Sequence, residues 1–208
     1  MGEEIATLFK NSQYIKLIQE KLPILFQIAN IENSRDGKIG MEVGSAREVV
    51  LIALLMKKYG RKNVIIDSPI NSPEADVKLC GMPISIKTIA GRGGVKLIWT
   101  VDAIKARKFL DNYKPSCDIL LAQMFWEDEK GGLFLISKKV QEKVFANLGK
   151  EKYLKLPKQG TNPRGVEISA EALDKLLSNQ GTLKISVKWK EKFIEKDNYE
   201  RWLQLWSE

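Results

Sequence analysis

An acid, a serine and a lysine occur at a spacing that suits chemistry on a phosphodiester. Asp76 is followed, after a gap of eight residues, by Ser85-Ile86-Lys87. The alternation of apolar and polar residues predicts two antiparallel strands with a turn from Cys80 to Pro83. In that register Asp76 faces Lys87 across the ladder, and the apolar side chains of both strands share the other face.

This pair of side chains could catalyse hydrolysis. A carboxylate such as Asp76 can hold Mg²⁺, which prefers oxygen ligands. The cation polarises a phosphate and lowers the pKa of water, while Lys87 would position or deprotonate the water and stabilise negative charge. The alternative is an exposed cross-strand ion pair without catalytic function, worth up to about 1 kcal/mol.

The composition excludes several other chemistries. The chain has 208 residues, a formal net charge of +8 and no histidine, so Ser-His-Asp and Cys-His catalysis and His-ligated metals are excluded. Cys80 and Cys117 are the only cysteines, too few for a disulfide framework or a cysteine zinc site, and we expect a reducing, cytoplasmic setting. The excess of basic residues favours a polyanionic partner.

The sequence also indicates no membrane or nucleotide partner. The first residues lack the apolar core of a signal peptide, and the longest apolar run, Val49 to Met56, is too short to cross a bilayer. The glycine-rich segment Gly91 to Gly94 lacks the spacing of a P-loop. We therefore expect neither a membrane nor a nucleotide cofactor.

The elements that would position the hairpin alternate between helix and strand. Periodicity and capping signals predict helices over Tyr14 to Ala29, with Pro23 opening a second helix, over Ser45 to Tyr59, over Val101 to Leu110 and from Ser169 to Leu177. Beside the hairpin they predict strands over Val64 to Ile66, Ile119 to Trp126, Leu133 to Ile136 and Leu183 to Trp189, and a closing aromatic helix with Trp202 and Trp206. This order predicts the α/β class, a mixed central β-sheet flanked by helices.

The segment from Pro73 to Lys87 is similar to the PD-(D/E)XK nuclease motif, except that Ser85 stands where the pattern has Asp or Glu. Longer phrases, in order from about Leu22 to the C-terminus, resemble type II restriction endonucleases of the ThaI group: GKIGMEVGSARE, ISIKT, WTVDA, CDILLAQMFW, YLKLPKQGTNPRGVEIS and RWLQLW. The resemblance implies a restriction-endonuclease-like core with a helical N-terminal elaboration. It also implies a Mg²⁺-dependent homodimer that cuts both strands of a short, GC-containing palindrome and leaves 5′-phosphate and 3′-hydroxyl ends.

The resemblance further suggests where a second acid comes from. Serine cannot replace a carboxylate as an anionic ligand, and nucleases of this class often bring a helix glutamate to the site, which makes Glu48 our choice over Glu42 and Glu74. Glu48 could instead complete a capping box with Ser45. We assign catalysis to Asp76, Lys87, Ser85 and Glu48, and metal binding to Asp76, Glu48 and the backbone carbonyl of Ile86.

Residue types suited to phosphates and base edges are spread over several segments. The strand from Leu183 has a basic face, and the loop before Val166 offers arginine for guanine and asparagine or glutamine for adenine. We expect DNA contacts from Ser34, Arg35, Lys38, Met41, Arg92, Lys96, Lys158, Gln159, Thr161, Asn162, Arg164, Lys188 and Lys190.

We expect residues 1–208 to form a single endonuclease domain. It would consist of a helical N-terminal elaboration (1–44), a catalytic core (45–140) and DNA-contacting and dimerisation elements (150–208). Two alternatives remain open at this point: a structure-specific nuclease of the junction resolvase type, and a basic DNA-binding protein in which Ser85 marks an inactive site. The opposed acid and lysine favour catalysis, and cleavage assays with Mg²⁺ would separate these cases.

Overall fold

The computed structural model describes residues 2–35, 38–39, 43–66, 74–98, 100, 102–128, 130–156, 165–194 and 206. The α-helices are α1 (Glu3–Ala6), α2 (Ser12–Glu32), α3 (Val43–Tyr59), α4 (Ala103–Asn112), α5 (Lys138–Leu148), α6 (Lys150–Tyr153) and α7 (Ala170–Leu177). The strands are β1 (Ser34–Arg35), β2 (Lys38–Ile39), β3 (Val64–Ile65), β4 (Val77–Leu79), β5 (Met82–Ala90), β6 (Val95–Ile98), β7 (Asp118–Met124), β8 (Gly131–Ile136), β9 (Leu154–Lys155), β10 (Val166–Ile168) and β11 (Leu183–Ser186).

The central sheet is mixed, as the sequence predicted. Its strand order is β11-β8-β7-β5-β4-β3, and β5 pairs with β7 in parallel while the other neighbours are antiparallel. The strands β7 and β8 are buried along almost their whole length. Such continuous apolar runs arise because helices cover both faces of the sheet.

Two hydrophobic cores lie on the two faces of this sheet. One contains Leu22 and Phe26 of α2, Leu51 and Leu55 of α3, and the sheet residue Ile86. The other joins α4, α5 and α7 to a small three-stranded sheet of order β6-β10-β9. The small sheet therefore packs on the helices of the second core and lies beside the central sheet.

The first long helix is continuous where the sequence predicted two. Helix α2 runs through Pro23, and it is capped at its start by Asn11, whose side chain accepts a hydrogen bond from the Tyr14 N–H at 3.1 Å. A proline inside a helix costs about 3 kcal/mol. Packing offsets this cost, because the buried stripe of the helix continues through the proline. Its buried residues include Ile18, Leu22, Pro23, Phe26 and Ala29.

Helix α3 starts two residues earlier than the capping signal predicted. Ser45 lies inside the first turn and not before it, because the buried stripe starts earlier, with Val43, Arg47, Leu51 and Leu55 at intervals of four. The predicted end is confirmed, since the helix stops at Tyr59 and Gly60 follows with φ of 86°.

Several elements were not predicted. Helix α5 is capped by Ser137, whose hydroxyl accepts a hydrogen bond from the Val140 N–H at 3.3 Å. The strands of the small sheet are two to four residues long and pair across large sequence separations, as β6 does with β10. Trp189, at the end of the strand predicted from Leu183, is fully buried, whereas Trp202 of the predicted closing helix lies outside the described residues. Within the residues that the structure describes, each helix is too short or too polar to span a lipid bilayer.

Candidate active site

The hairpin formed by β4 and β5 has a tighter turn than the sequence predicted. Val77 pairs with Ile84 and Leu79 with Met82, so only two residues, Cys80 and Gly81, form the turn. Both have positive φ, 49° and 83°, which is typical of a type I′ turn. The predicted register, with Asp76 opposite Lys87, was wrong by two residues.

The wrong register still predicted the correct face. Side chains of a strand alternate with a period of two, so a shift of two residues leaves each side chain on its original face. The apolar residues Val77, Leu79, Ile84 and Ile86 are buried, between 0% and 2% exposed. Asp76 and Lys87 consequently meet as diagonal neighbours.

The Asp76 carboxylate accepts three hydrogen bonds at a single oxygen. Its Oδ2 accepts from Ser85 Oγ at 3.2 Å, from the Ile86 N–H at 2.6 Å and from Lys87 Nζ at 3.0 Å. The side chain of Asp76 is 33% exposed and that of Lys87 is 12% exposed. Within the described chain Oδ1 has no hydrogen-bond donor, which leaves this oxygen open to a ligand.

Ser85 is 1% exposed, and its hydroxyl reaches the Asp76 carboxylate from this buried position. Its hydroxyl is therefore shielded from the groove, and its contribution is to orient the carboxylate. The Asp76 N–H donates to the carbonyl of Ile84 at 3.0 Å, which fixes the backbone at the start of β4. Hydrogen bonds thus fix both the backbone and the carboxylate of Asp76.

Helix α3 brings a second acid to the same place. Strand β4 pairs with β5 only as far as Ile84, although β5 continues to Ala90, and α3 contacts β5. Burial raises the pKa of Glu48 to about 7, with Lys87 lowering it and Asp76 raising it further. The Glu48 carboxylate makes no hydrogen bond in the described part of the chain.

These side chains border an open groove with a volume of about 740 Å³. Glu48, Asp76 and Lys87 lie on one wall, while the other wall comes from the small sheet and carries Lys96 and Glu167. Two acids with free oxygens fit a Mg²⁺ ion, which needs only one or two carboxylates beside water. No cluster of three or more cysteine, aspartate or glutamate residues that could hold a metal ion occurs in the described ranges.

Comparison with known proteins identifies the family. The family profile described as "Restriction endonuclease ThaI" matches residues 8–208. The chain belongs to the ThaI restriction endonuclease family. A solved structure described as "Restriction endonuclease in complex with substrate DNA" is 50% identical and has a TM-score of 0.91, covering 98% of this chain and 99% of that chain. A search of curated proteins finds no match.

The family confirms the resemblance and makes this enzyme a type II site-specific deoxyribonuclease. A junction resolvase and a non-catalytic DNA-binding protein, which the motif alone allowed, are not the families that match. The restriction-endonuclease-like core is confirmed by the similarity of the whole chain to that solved structure.

The structure distributes the predicted DNA-contacting residues of the endonuclease unevenly. Lys96 lines the groove, and Arg92 is exposed in the turn between β5 and β6. Lys188 and Lys190 are exposed after β11, at the other edge of the central sheet. Ser34 donates its hydroxyl to the carbonyl of Ile31 at 2.9 Å, next to the end of α2.

The remaining predicted residues cannot be placed by their side chains. The structure describes only the backbone of Arg35 and Lys38, which pair with each other where β1 meets β2. The others lie outside the described residues: Met41, Lys158, Gln159, Thr161, Asn162, Arg164 and the reserve acid Glu42.

The reserve acid Glu74 lies outside the groove of the endonuclease. It is 6% exposed and accepts hydrogen bonds from the Ser116 N–H, at 3.1 Å, and from the Ser116 hydroxyl. Burial raises its pKa, and the hydrogen bonds from Ser116 lower it. Glu74 therefore ties the segment before Asp76 to the segment before β7.

Two groove residues of the endonuclease were not predicted from the sequence. Arg47 is buried and lines the groove next to Glu48, and Glu167 faces Lys96 across β10 and β6. A signal for Arg47 existed, because it occupies the apolar stripe of α3 between Val43 and Leu51. No local pattern marked Glu167, since the pairing of β10 with β6 is a tertiary feature.

Proposed function

We propose that this endonuclease uses Mg²⁺ to hydrolyse one phosphodiester bond in each strand of a short, palindromic, GC-containing DNA duplex. The observation that carries the proposal is the 3.0 Å contact of Asp76 with Lys87 on the wall of an open groove. The similar solved structure, described as complexed with substrate DNA, supports DNA as the ligand.

Asp76 and Glu48 would hold the cation, together with the backbone carbonyl of Ile86. Oδ2 of Asp76 accepts hydrogen bonds from Ser85, the Ile86 N–H and Lys87. These bonds orient the carboxylate and leave Oδ1 available for the cation. When bound, Mg²⁺ polarises the phosphate and lowers the pKa of the attacking water. Glu48 must be ionised to contribute, and this favours cation binding above about pH 7.

Lys87 would act on the water and on the phosphate. Its ammonium group is held by Asp76 at the groove wall, where it can orient the water and stabilise negative charge that develops on the phosphate oxygens. The water oxygen bonds to phosphorus in line with the departing 3′ oxygen. The bond to the 3′ oxygen breaks and that oxygen takes a proton, which leaves 5′-phosphate and 3′-hydroxyl ends.

Two copies of the chain would act together. A palindrome has two-fold symmetry, so a homodimer places one active site on each strand. Residues 1–208 would form one endonuclease domain, with 150–208 supplying DNA contacts and the dimer interface. The net charge of +8 favours attraction to the phosphate backbone. Contacts are proposed for all the residues assigned to DNA from the sequence, of which Lys96 already lines the groove.

The test is digestion of a plasmid of known sequence with purified protein and Mg²⁺, followed by mapping of the cut ends. We expect discrete cuts at one short palindrome and no cutting when EDTA removes the metal. In Asp76→Ala and Lys87→Ala the cleavage rate should fall by about 10²–10⁴-fold, with duplex binding retained.

Lys78→Ala is the matched control, because Lys78 lies in the same hairpin and pairs with Pro83 without lining the groove. Its cleavage rate should stay close to that of the parent. Normal turnover in Asp76→Ala or Lys87→Ala would remove the hairpin from the mechanism.

A further inference from the structure

Arg47 is a buried cation on the groove wall. It lies one residue before Glu48 in α3, is 6% exposed and lines the same groove as Asp76 and Lys87. A buried arginine normally has a carboxylate partner, because an unpaired charge inside a protein is strongly unfavourable. The partner of Arg47 therefore decides what this residue can do.

That partner is a neutral amide. Arg47 donates from Nε at 3.0 Å and from Nη2 at 2.6 Å, and both bonds end on Oδ1 of Asn30 in α2. Asn30 is itself 8% exposed. The amide orients the guanidinium and cancels none of its charge, and an arginine has five N–H donors, of which Asn30 engages two.

No carboxylate offsets this charge within the described chain. Arg47 forms no ion pair there, and burial alone lowers the pKa of its guanidinium. A mere tie between α2 and α3 would not require a full positive charge, since an apolar pair or an arginine–aspartate pair would serve. The arrangement instead leaves an oriented, uncompensated cation at the wall of the groove.

We propose that Arg47 binds a non-bridging phosphate oxygen of the DNA strand lying in the groove, with Asn30 as its positioning residue. The planar fork of a guanidinium matches two oxygens of one phosphate. Asn30 holds the Nε edge, which leaves further N–H groups for the ligand. This inference rests on the proposed function, since it takes DNA as the ligand of the groove.

The sharpest variant is Asn30→Asp, which leaves Arg47 in place but cancels its charge. Binding is measured with a mixed-sequence duplex in EDTA over a series of salt concentrations, alongside thermal unfolding. We expect Asn30→Asp to unfold at the same temperature as the parent or higher. Its DNA affinity should fall about tenfold, and the slope of log K against log salt should become shallower by about 0.9 for each phosphate that the protein no longer neutralises.

Asn147→Asp is the matched control, since it makes the same change of charge at an exposed position on α5 outside the groove. As a second route, Arg47→Met removes the cation itself and is compared with Arg61→Met, an exposed arginine beyond the other end of α3. Arg47→Met should reproduce the weaker binding and shallower slope, and Arg61→Met should not.

The inference is overturned if Asn30→Asp and Arg47→Met bind DNA with the affinity and salt slope of their controls while the parent binds and cuts. Loss of stability without a change in slope would give Arg47 a purely structural role, and would overturn it as well. A parent that neither binds nor cuts duplex DNA would instead reject the proposed function, and this inference with it.

Discussion

At the scale of single residues, the departure of Ser85 from the nuclease motif has a structural explanation. A carboxylate at this position would lie within hydrogen-bond distance of Asp76, where the structure has a hydroxyl that donates to Oδ2 at 3.2 Å. The serine thus supplies a hydrogen-bond donor and no negative charge. The second acid of the groove comes from α3 as Glu48.

Two substitutions of Ser85 test this explanation. Ser85→Ala removes one of three donors to Asp76 and should slow cleavage about tenfold, or about 1.4 kcal/mol. Ser85→Asp restores the motif but buries a second carboxylate against Asp76. It should lower the free energy of unfolding by about 2 kcal/mol or more, because like charges in a buried site repel.

Cleavage rates and chemical denaturation of both variants provide the measurement, with Ser186→Ala as a control at an exposed serine of β11. If Ser85→Asp cuts faster than the parent, the second acid belongs at position 85 and Glu48 loses its assigned role.

The raised pKa of Glu48 predicts how stability depends on pH in the metal-free enzyme. Its pKa rises from 4.5 to about 7 in the folded state, so between these values the folded state holds a proton that the unfolded chain has released. Stability therefore falls as pH increases from 4.5 to about 7. Glu48→Gln removes this loss and should be more stable than the parent by about 2–3 kcal/mol near pH 8, with little difference near pH 4.5.

Denaturation of parent and variant across this pH range, without metal, gives the difference directly. Glu20→Gln changes the same charge at an exposed position of α2 and should show no such pH-dependent gain. A Glu48→Gln protein that is no more stable than the parent above pH 7 would show that Glu48 is not buried beside Asp76.

At the scale of elements, the groove depends on how the small sheet approaches β5. The turn after β5 brings Gly94 against β10, where a Cβ added to Gly94 would lie 2.5 Å from the carbonyl oxygen of Ile168 and 3.0 Å from Oε2 of Glu167. The first of these atoms belongs to the backbone, so moving it away would require a shift of strand β10. A glycine is therefore required for β6 and β10 to form this wall of the groove.

Neighbouring glycines make a matched test of this close approach. Gly94→Ala should lower the free energy of unfolding by about 1–3 kcal/mol and slow cleavage, since the groove wall must shift. Gly93→Ala is the control, because its Cβ would meet Ile89 Cδ1 at an ordinary 3.6 Å and should change stability by no more than about 0.5 kcal/mol. Equal stabilities for the two variants, by urea denaturation, would contradict the close approach.

At the scale of the whole molecule, the two faces of the central sheet position different parts of the groove. Helix α3 packs on one face and brings Glu48 to the part of β5 that extends beyond the start of β4, while the helices of the other face support the small sheet. The site forms where the sheet edge of β5 is left open between these layers. The described part of the chain has one such groove, so cutting both strands of a duplex requires two copies of the chain or two binding events.

The proposed homodimer can be tested by sedimentation equilibrium without DNA and with a duplex that contains the mapped site. We expect a particle of twice the chain mass and one bound duplex per two chains. Plasmid cutting should produce linear product directly, with little nicked intermediate, because both strands are cut in one complex. A stable monomer that accumulates nicked plasmid would contradict the dimer.

The hairpin, the sheet and the face that carries Asp76 and Lys87 were predictable because they follow from local rules. Alternation with a period of two placed Asp76, Ser85 and Lys87 on one face even though the register was off by two. The start of α7 at Ser169 was predicted correctly for the same reason, since the hydroxyl of this cap accepts a hydrogen bond from the backbone N–H of Ala172, three residues away. Local signals failed where distant packing decided, as at Pro23 inside α2.

The sequence by itself determined the chemistry available to this protein: no histidine, one acid and lysine on a hairpin face, and a nearby helix rich in apolar residues around Glu48. Only the tertiary structure decided which groups meet. It placed Glu48 beside Asp76, left Arg47 charged against Asn30 and made β6 and β10 the opposite wall of the groove. Such contacts join segments far apart in the chain, and their geometry follows from the packing of layers, which no local pattern encodes.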